Sequence, residues 1–190
     1  MIKSRKYQFH YQWCHYPVVE SPRDLGVLVS HHLTPCLHIS SIVAKTHKRS
    51  SAIHCVFTSR NVDLLLRAYT TYARPLVEHD SVIWSPYTIK DITAIEPVQR
   101  RFPKRLPGLN NPSYTERLQR IRLLSLELRR LYTDLIYCYK IICGMVDLTT
   151  SDVFQWVPCT SIRGHSFKLY QISCSPRLRS TFFSERVVNV

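Results

Sequence analysis

Seven aspartates and six glutamates are the only groups from which a phosphoryl-transfer centre could be built. Such centres hold divalent cations between paired carboxylates. Asp24, Asp63, Asp80, Asp91, Asp134, Asp147 and Asp152 stand singly. No two are adjacent and none lies in an aromatic-x-Asp-Asp setting, so no catalytic centre can be assembled from them. Nucleophilic catalysis fares no better, because no Gly-x-Ser-x-Gly elbow accompanies the nine histidines. The glycines Gly26, Gly108, Gly144 and Gly164 are each isolated, whereas a phosphate-cradling loop needs at least two close together. His31, His32, Cys36 and His38 cluster, and His54-Cys55 follow. Zinc asks for four such ligands in tetrahedral array, but there is no Cys-x-x-Cys and the spacing matches no common finger. The expectation is therefore no catalytic residue, no metal site, no cofactor and no small-molecule substrate.

The chemistry that remains is cationic. The chain has 190 residues, 26 Lys and Arg against 13 Asp and Glu, and a net charge of +13. Residues 100–145 carry ten basic and three acidic groups, a net +7 and more than half of the excess. Within them Arg100, Arg101, Lys104 and Arg105 put four cations in six residues around Phe102. Arg117 and Arg120 follow one helical turn apart, and could face the same way. Arg129 and Arg130 come next. Arginine's planar fork matches phosphate oxygens, and few acidic side chains interleave to neutralise this stripe. The expected partner is the backbone of an RNA or DNA duplex. The competing reading is a solvated helix face.

Composition bounds the rest. At 45% apolar residues, wholesale disorder is excluded. No apolar run approaches the length of a membrane span. The basic start MIKSRKYQFHYQW lacks an apolar signal core, so an intracellular location, nucleus or cytoplasm, is expected rather than secretion. Seven cysteines without such a signal read as free thiols.

The elements that must position the cations follow from periodicity. Tyr7, Phe9, Tyr11 and Trp13 alternate as in a half-buried strand. Ser21-Pro22-Arg23-Asp24 reads as a turn, and Leu25–Val29 as a short strand. Thr34-Pro35 is a helix start, with Ile39, Ile42, Val43, Ile53, Val56 and Phe57 on one face after it. A second helix starts near Ser59 or Asn61. It buries Leu65, Tyr69, Tyr72 and Leu76, and Pro75 kinks or ends it. Ile92, Ile95, Val98 and Phe102 mark a third helix that contains Pro97 and abuts Pro103, and residues 106–112 form a loop. Ser113 and Glu116 make a capping box. Ser125 caps a helix along Leu128, Leu131, Leu135, Cys138 and Ile142, closed by Gly144. That stripe is read as packing core. Phe154–Val157 and Ser166–Tyr170 look like short strands, and the tail from Phe182 stops while still apolar.

Several segments resemble, in order, the C-terminal part of reverse transcriptases from jockey-like non-LTR (LINE-type) retrotransposons. They are SPRDLGV at 21–27, LTPCLHISSIVAKTHKR at 33–49, LLLRAYTTYARPLVEHDSVIWSP at 64–86 and IEPVQRRFPKRLPGL at 95–109. YTERLQRIRLLSLELRRLYTDLIYCYKIICG at 114–144, RGHSFKL at 163–169 and FFSERVVNV at 182–190 complete the series. Together they reach over roughly nine tenths of the chain. Where relatives tend to have Tyr after the Glu of the RPxxE segment, this chain has His79, and Pro97 and Pro103 fall where relatives are helical.

The resemblance implies a mainly α chain with a small N-terminal β remnant, an α+β class. Residues 1–33 would be a palm-end β-hairpin remnant and 34–145 a helical, thumb-like bundle. Residues 146–190 would be a C-terminal segment of short strands or irregular tail, truncated after Val190. The parent activity is RNA-directed DNA polymerisation with Mg²⁺, its aspartates lying upstream of this chain. A fragment of that enzyme would bind template–primer backbone through Arg100, Arg101, Lys104, Arg105, Arg117, Arg120, Arg129 and Arg130 without reading sequence. The alternatives are a relic of a transposon copy without function, and a protein-interaction module using the Leu128/Leu131/Leu135 face. Nothing in the sequence sets an oligomeric state.

Overall fold

The computed structural model describes residues 21–157, 168–170 and 182–189. The chain is mainly helical with a two-stranded sheet at its start. The alternating segment Tyr7–Trp13 lies outside the described residues, as do Ser166 and Phe167.

Strands β1 (Arg23–Asp24) and β2 (Val27–Leu28) pair antiparallel, Arg23 opposite Leu28 and Asp24 opposite Val27. The turn is therefore Leu25-Gly26, one step beyond the expected Ser21–Asp24. Both residues have positive φ, 43° and 95°, the handedness that a two-residue hairpin needs. Two imidazoles hold the hairpin down. His38 Nδ1 accepts from the Leu28 N–H at 3.1 Å, and His79 Nε2 lies 3.1 Å from the Leu25 carbonyl.

Helix α1 (Cys36–Val56) starts behind Pro35, with no side-chain cap; Thr34 instead bonds to Ser30. It buries Ile39, Ile42 and Ile53 as the periodicity requires, but Val56 at its end is exposed. Helix α2 (Val62–Ala68) begins at Asn61, whose side chain accepts from the Asp63 and Leu64 amides. The expected stripe then slips. Residues Tyr69–Ala73 form a π-turn and Arg74–Val77 a 3₁₀ turn with Pro75 in its first turn. A π-turn adds a residue to the helical repeat, so Ala73 and Val77 are buried in place of the expected Tyr72 and Leu76. This lets the chain absorb a proline that cannot donate, and Arg49 donates to the Tyr72 carbonyl at 3.0 Å.

After the single-turn helix α3 (Ser81–Trp84), helix α4 (Ile89–Lys104) runs through both Pro97 and Pro103. Thr88 caps it by accepting from the Asp91 amide at 3.1 Å. Pro97 cannot donate to the Thr93 carbonyl, but Thr93 is exposed and water can take that bond. Helix α5 (Tyr114–Arg120) carries the complete Ser113–Glu116 capping box. Helix α6 (Leu126–Ile142) is capped by Ser125 and ends before Gly144, φ 65°. Its buried face is Leu126, Arg130, Asp134, Cys138 and Ile141, not the leucine stripe, and Leu128 and Leu135 are exposed.

Among the described residues three packed groups form the core. Ile53, Leu65, Tyr69, Phe102 and Leu106 join α1, α2 and α4. Val27, Ile39, Val77, Trp84, Ile95 and Leu126 join the hairpin, α1, α4 and α6. Cys138, Ile141, Phe154 and Val187 form the third around α6. There the short helix α7 (Thr150–Val153) precedes an isolated antiparallel bridge of Trp156 with Leu169, where two strands had been expected. The apolar tail is helix α8 (Phe183–Val188). Its Arg186 forks onto Asp134 at 2.8 and 2.9 Å. No helix among the described residues is long and apolar enough to cross a membrane.

Candidate nucleic-acid interface

The C-terminal half of α4 carries the densest cations, and its buried stripe decides where each one points. Ile95, Val98, Gln99 and Phe102 face inward, so Arg100, Arg101, Lys104 and Arg105 must emerge on its flanks, and all four are exposed. Arg100 leans over the Tyr114 ring of α5, with Cζ 5.0 Å from the ring centre, a cation–π contact. Tyr114 is itself fixed, donating its hydroxyl to Glu96 and receiving a bond from Gln99 Nε2 at 3.4 Å. Burial and the Glu96 bond push that phenol well above its usual range. On the opposite flank Arg101 and Arg105, one turn apart, border a cleft against α1. Cations in a last helical turn also complement the helix dipole, which favours Arg101 and Lys104 where they stand.

The other four expected contacts do not extend this face as a stripe. Arg120 is exposed, but Arg117 is buried at 6% exposure. Three residues along a helix separate side chains by about 60°, enough to turn one inward and the other out. Arg129 forks onto Glu78, with Nη2 to Oε2 at 3.0 Å, tying α6 to the 3₁₀ turn. Arg130 is buried, and desolvation lowers its pKa against the pull of Glu96, Glu127 and Asp134. Arg117 and Arg130 are therefore buried and Arg129 is held by Glu78, and five of the eight remain as exposed cations.

Sequence reasoning missed the α1 side of the cleft. His47, Ser50 and His54 recur at three and four residues on one face of α1, opposite Arg101 and Arg105. That spacing was the available signal, obscured by treating His54-Cys55 as possible metal ligands. Burial, then Arg105 and Arg60, hold the His54 imidazole below its ordinary pKa, opposed by the Phe102 backbone. Burial, then Arg101 and Arg105, do the same at His47. The residues weighed against a zinc site make other contacts: Cys36 donates its thiol to Asp91 at 3.0 Å, and His31 and His32 meet edge to face with ring centres 5.4 Å apart. No group of three or more His, Cys, Asp or Glu that could hold a metal ion gathers among the described residues.

Comparisons with protein-family models, with curated proteins and with solved structures give no match.

Proposed function

We propose that this chain is a late-palm and thumb fragment of a non-LTR retrotransposon reverse transcriptase, and that it binds the backbone of a nucleic-acid duplex without choosing sequence. One observation carries the binding: Arg100, Arg101, Lys104 and Arg105 stand exposed on one helix end with no acidic partner among the described residues. Arg120 adds an exposed cation on α5. Cations so placed contact phosphates, which position a protein but carry no sequence information. The family reading comes from the ordered segments of the sequence. On that reading the fragment has no polymerase activity of its own, because the Mg²⁺-binding aspartates belong to the part of the enzyme upstream.

The test is binding to two primer–template duplexes of unrelated sequence. Equal affinities, both weakened by changing the four α4 cations to Gln, support the reading. A strong preference for one duplex, or none bound at low salt, refutes it.

A second reading has one observation in its favour. On α6 Leu128, Tyr132, Leu135, Ile136 and Tyr139 are 38–59% exposed, an apolar face left open by the register of the helix. A protein-interaction module would use it. Leu135→Lys would then abolish partner binding and leave duplex binding intact.

A further inference from the structure

We infer that the cleft between α1 and α4 seats one dianionic phosphate group, held by Arg101, Arg105, His47, His54 and Ser50. Where that phosphate is the 5′ end of a strand, the inference rests on the nucleic-acid reading; where it is a free phosphate, it does not. The cleft is about 140 Å³, room enough for a tetrahedral oxyanion. Its floor is Val98 and Phe102, and its rim is cationic.

The decisive observation is in the wall. Ser50 is 7% exposed, lines the cleft, and its hydroxyl has no hydrogen-bond partner. The buried Nε2 of His54 is also without a partner. Buried polar atoms are normally paired, and two unpaired ones in a single cleft ask for a ligand of matching polarity. His54 is held in place, its ring 4.5 Å from Phe102, which stacks at 4.3 Å on Tyr69. The charged groups acting on the two imidazoles are Arg60, Arg101 and Arg105. Two guanidinium forks, a hydroxyl and two imidazole N–H donors suit an oxyanion. An end group can project into such a recess, whereas a bridging phosphate is flanked by its sugars.

The experiment uses the full chain and two duplexes that differ only in a 5′-phosphate or 5′-hydroxyl, with inorganic phosphate titrated separately by calorimetry. The variants are Ser50→Ala and His54→Gln, neither of which removes a charge at pH 7.5. Wild type should bind the phosphorylated duplex about tenfold tighter, the scale of one charge-assisted hydrogen bond. Both variants should lose that preference and keep their affinity for the hydroxyl duplex. Inorganic phosphate should bind wild type and not Ser50→Ala. If it does so while the two duplexes bind alike, the cleft takes free phosphate. If it does so while neither duplex binds, the cleft stands and the nucleic-acid reading fails alone. Inorganic phosphate that binds neither wild type nor variant, or binds all three equally, overturns the cleft even if duplex binding persists.

Discussion

Arg101 and Arg129 belong to the same charge-rich stretch, residues 100–145, and their neighbours give them opposite roles. Arg101 has open solvent and a cleft beside it, whereas Arg129 meets the Glu78 carboxylate in a two-pronged contact. Glu78 also lies 3.2 Å from Arg74, so one carboxylate joins two elements. Arg129→Gln should lower stability by about 1–2 kcal/mol, between the values of exposed and buried pairs. A thermal melt should fall by a few degrees while the salt dependence of duplex binding stays put. A reduced slope would return Arg129 to the interface. Histidine supplies the pH dependence. Burial leads the causes that hold His38, His47 and His54 below their ordinary pKa, so the folded state prefers them neutral. The unfolded chain takes up protons first as pH falls through about 6.5, so their stabilisation is complete above that pH and is lost below it. His38 matters most, because its Nδ1 must stay unprotonated to accept from Leu28. His38→Asn keeps an acceptor there and removes the titration. Its melting temperature should fall less steeply than that of wild type between pH 7 and 5, and an equal slope would contradict this role.

Helices show what periodicity reveals and where it stops. The starts were legible because capping is local: Asn61, Ser113 and Ser125 each accept backbone N–H groups as their sequence positions imply. The buried faces of α1 and α4 were legible too, since Ile39, Ile42, Ile95, Val98 and Phe102 repeat at helical spacing and are buried. Two faces were not. The π-turn at Tyr69–Ala73 shifts the stripe by one residue, an irregularity that a fixed period cannot express. On α6 the leucines at 128 and 135 spell an apolar seam, yet the ion pair of Asp134 with Arg186, 52 residues away, takes the inner face. A contact between distant segments is invisible in the local pattern. Proline does not end α4, which passes through both Pro97 and Pro103. Pro97→Ala should restore one backbone bond within a helix that already has the right shape. The gain should be about 1–2 kcal/mol, less than the full helix-interior cost of proline because the unfolded chain also becomes freer. A melting temperature raised by several degrees is the expected result. A lower one would mean that the helix needs a break at that point.

Across the whole molecule, the fold sorts the basic residues into interior and surface sets. The net +7 of residues 100–145 marks the stretch from which the candidate face is drawn but could not make that division. Glu78, which engages Arg129 from 51 residues away, comes into place only when the chain folds, whereas Asp134 stands one helical turn from Arg130 on α6 itself. The same folding brings α1 beside α4 and so makes a separate cleft lined by His47 and Ser50, while the cationic face is narrower than the sequence suggested at Arg117, Arg129 and Arg130. On the proposed function, a localised face made by Arg100, Arg101, Lys104 and Arg105 grips duplex phosphates. Salt dependence tests it most directly, because each phosphate contact releases counterions and contributes about 0.9 to the log–log slope on duplex DNA. The comparison is fluorescence anisotropy over a salt series for wild type, for those four residues changed to Gln, and for Arg67, Lys90, Lys140 and Lys168 changed to Gln. The second set is exposed, lies outside residues 100–105 and removes the same charge. The first variant should show a slope lower by up to about 3 to 4, and the second little change. Equal losses in both, or no binding by wild type at low salt, would contradict that proposal.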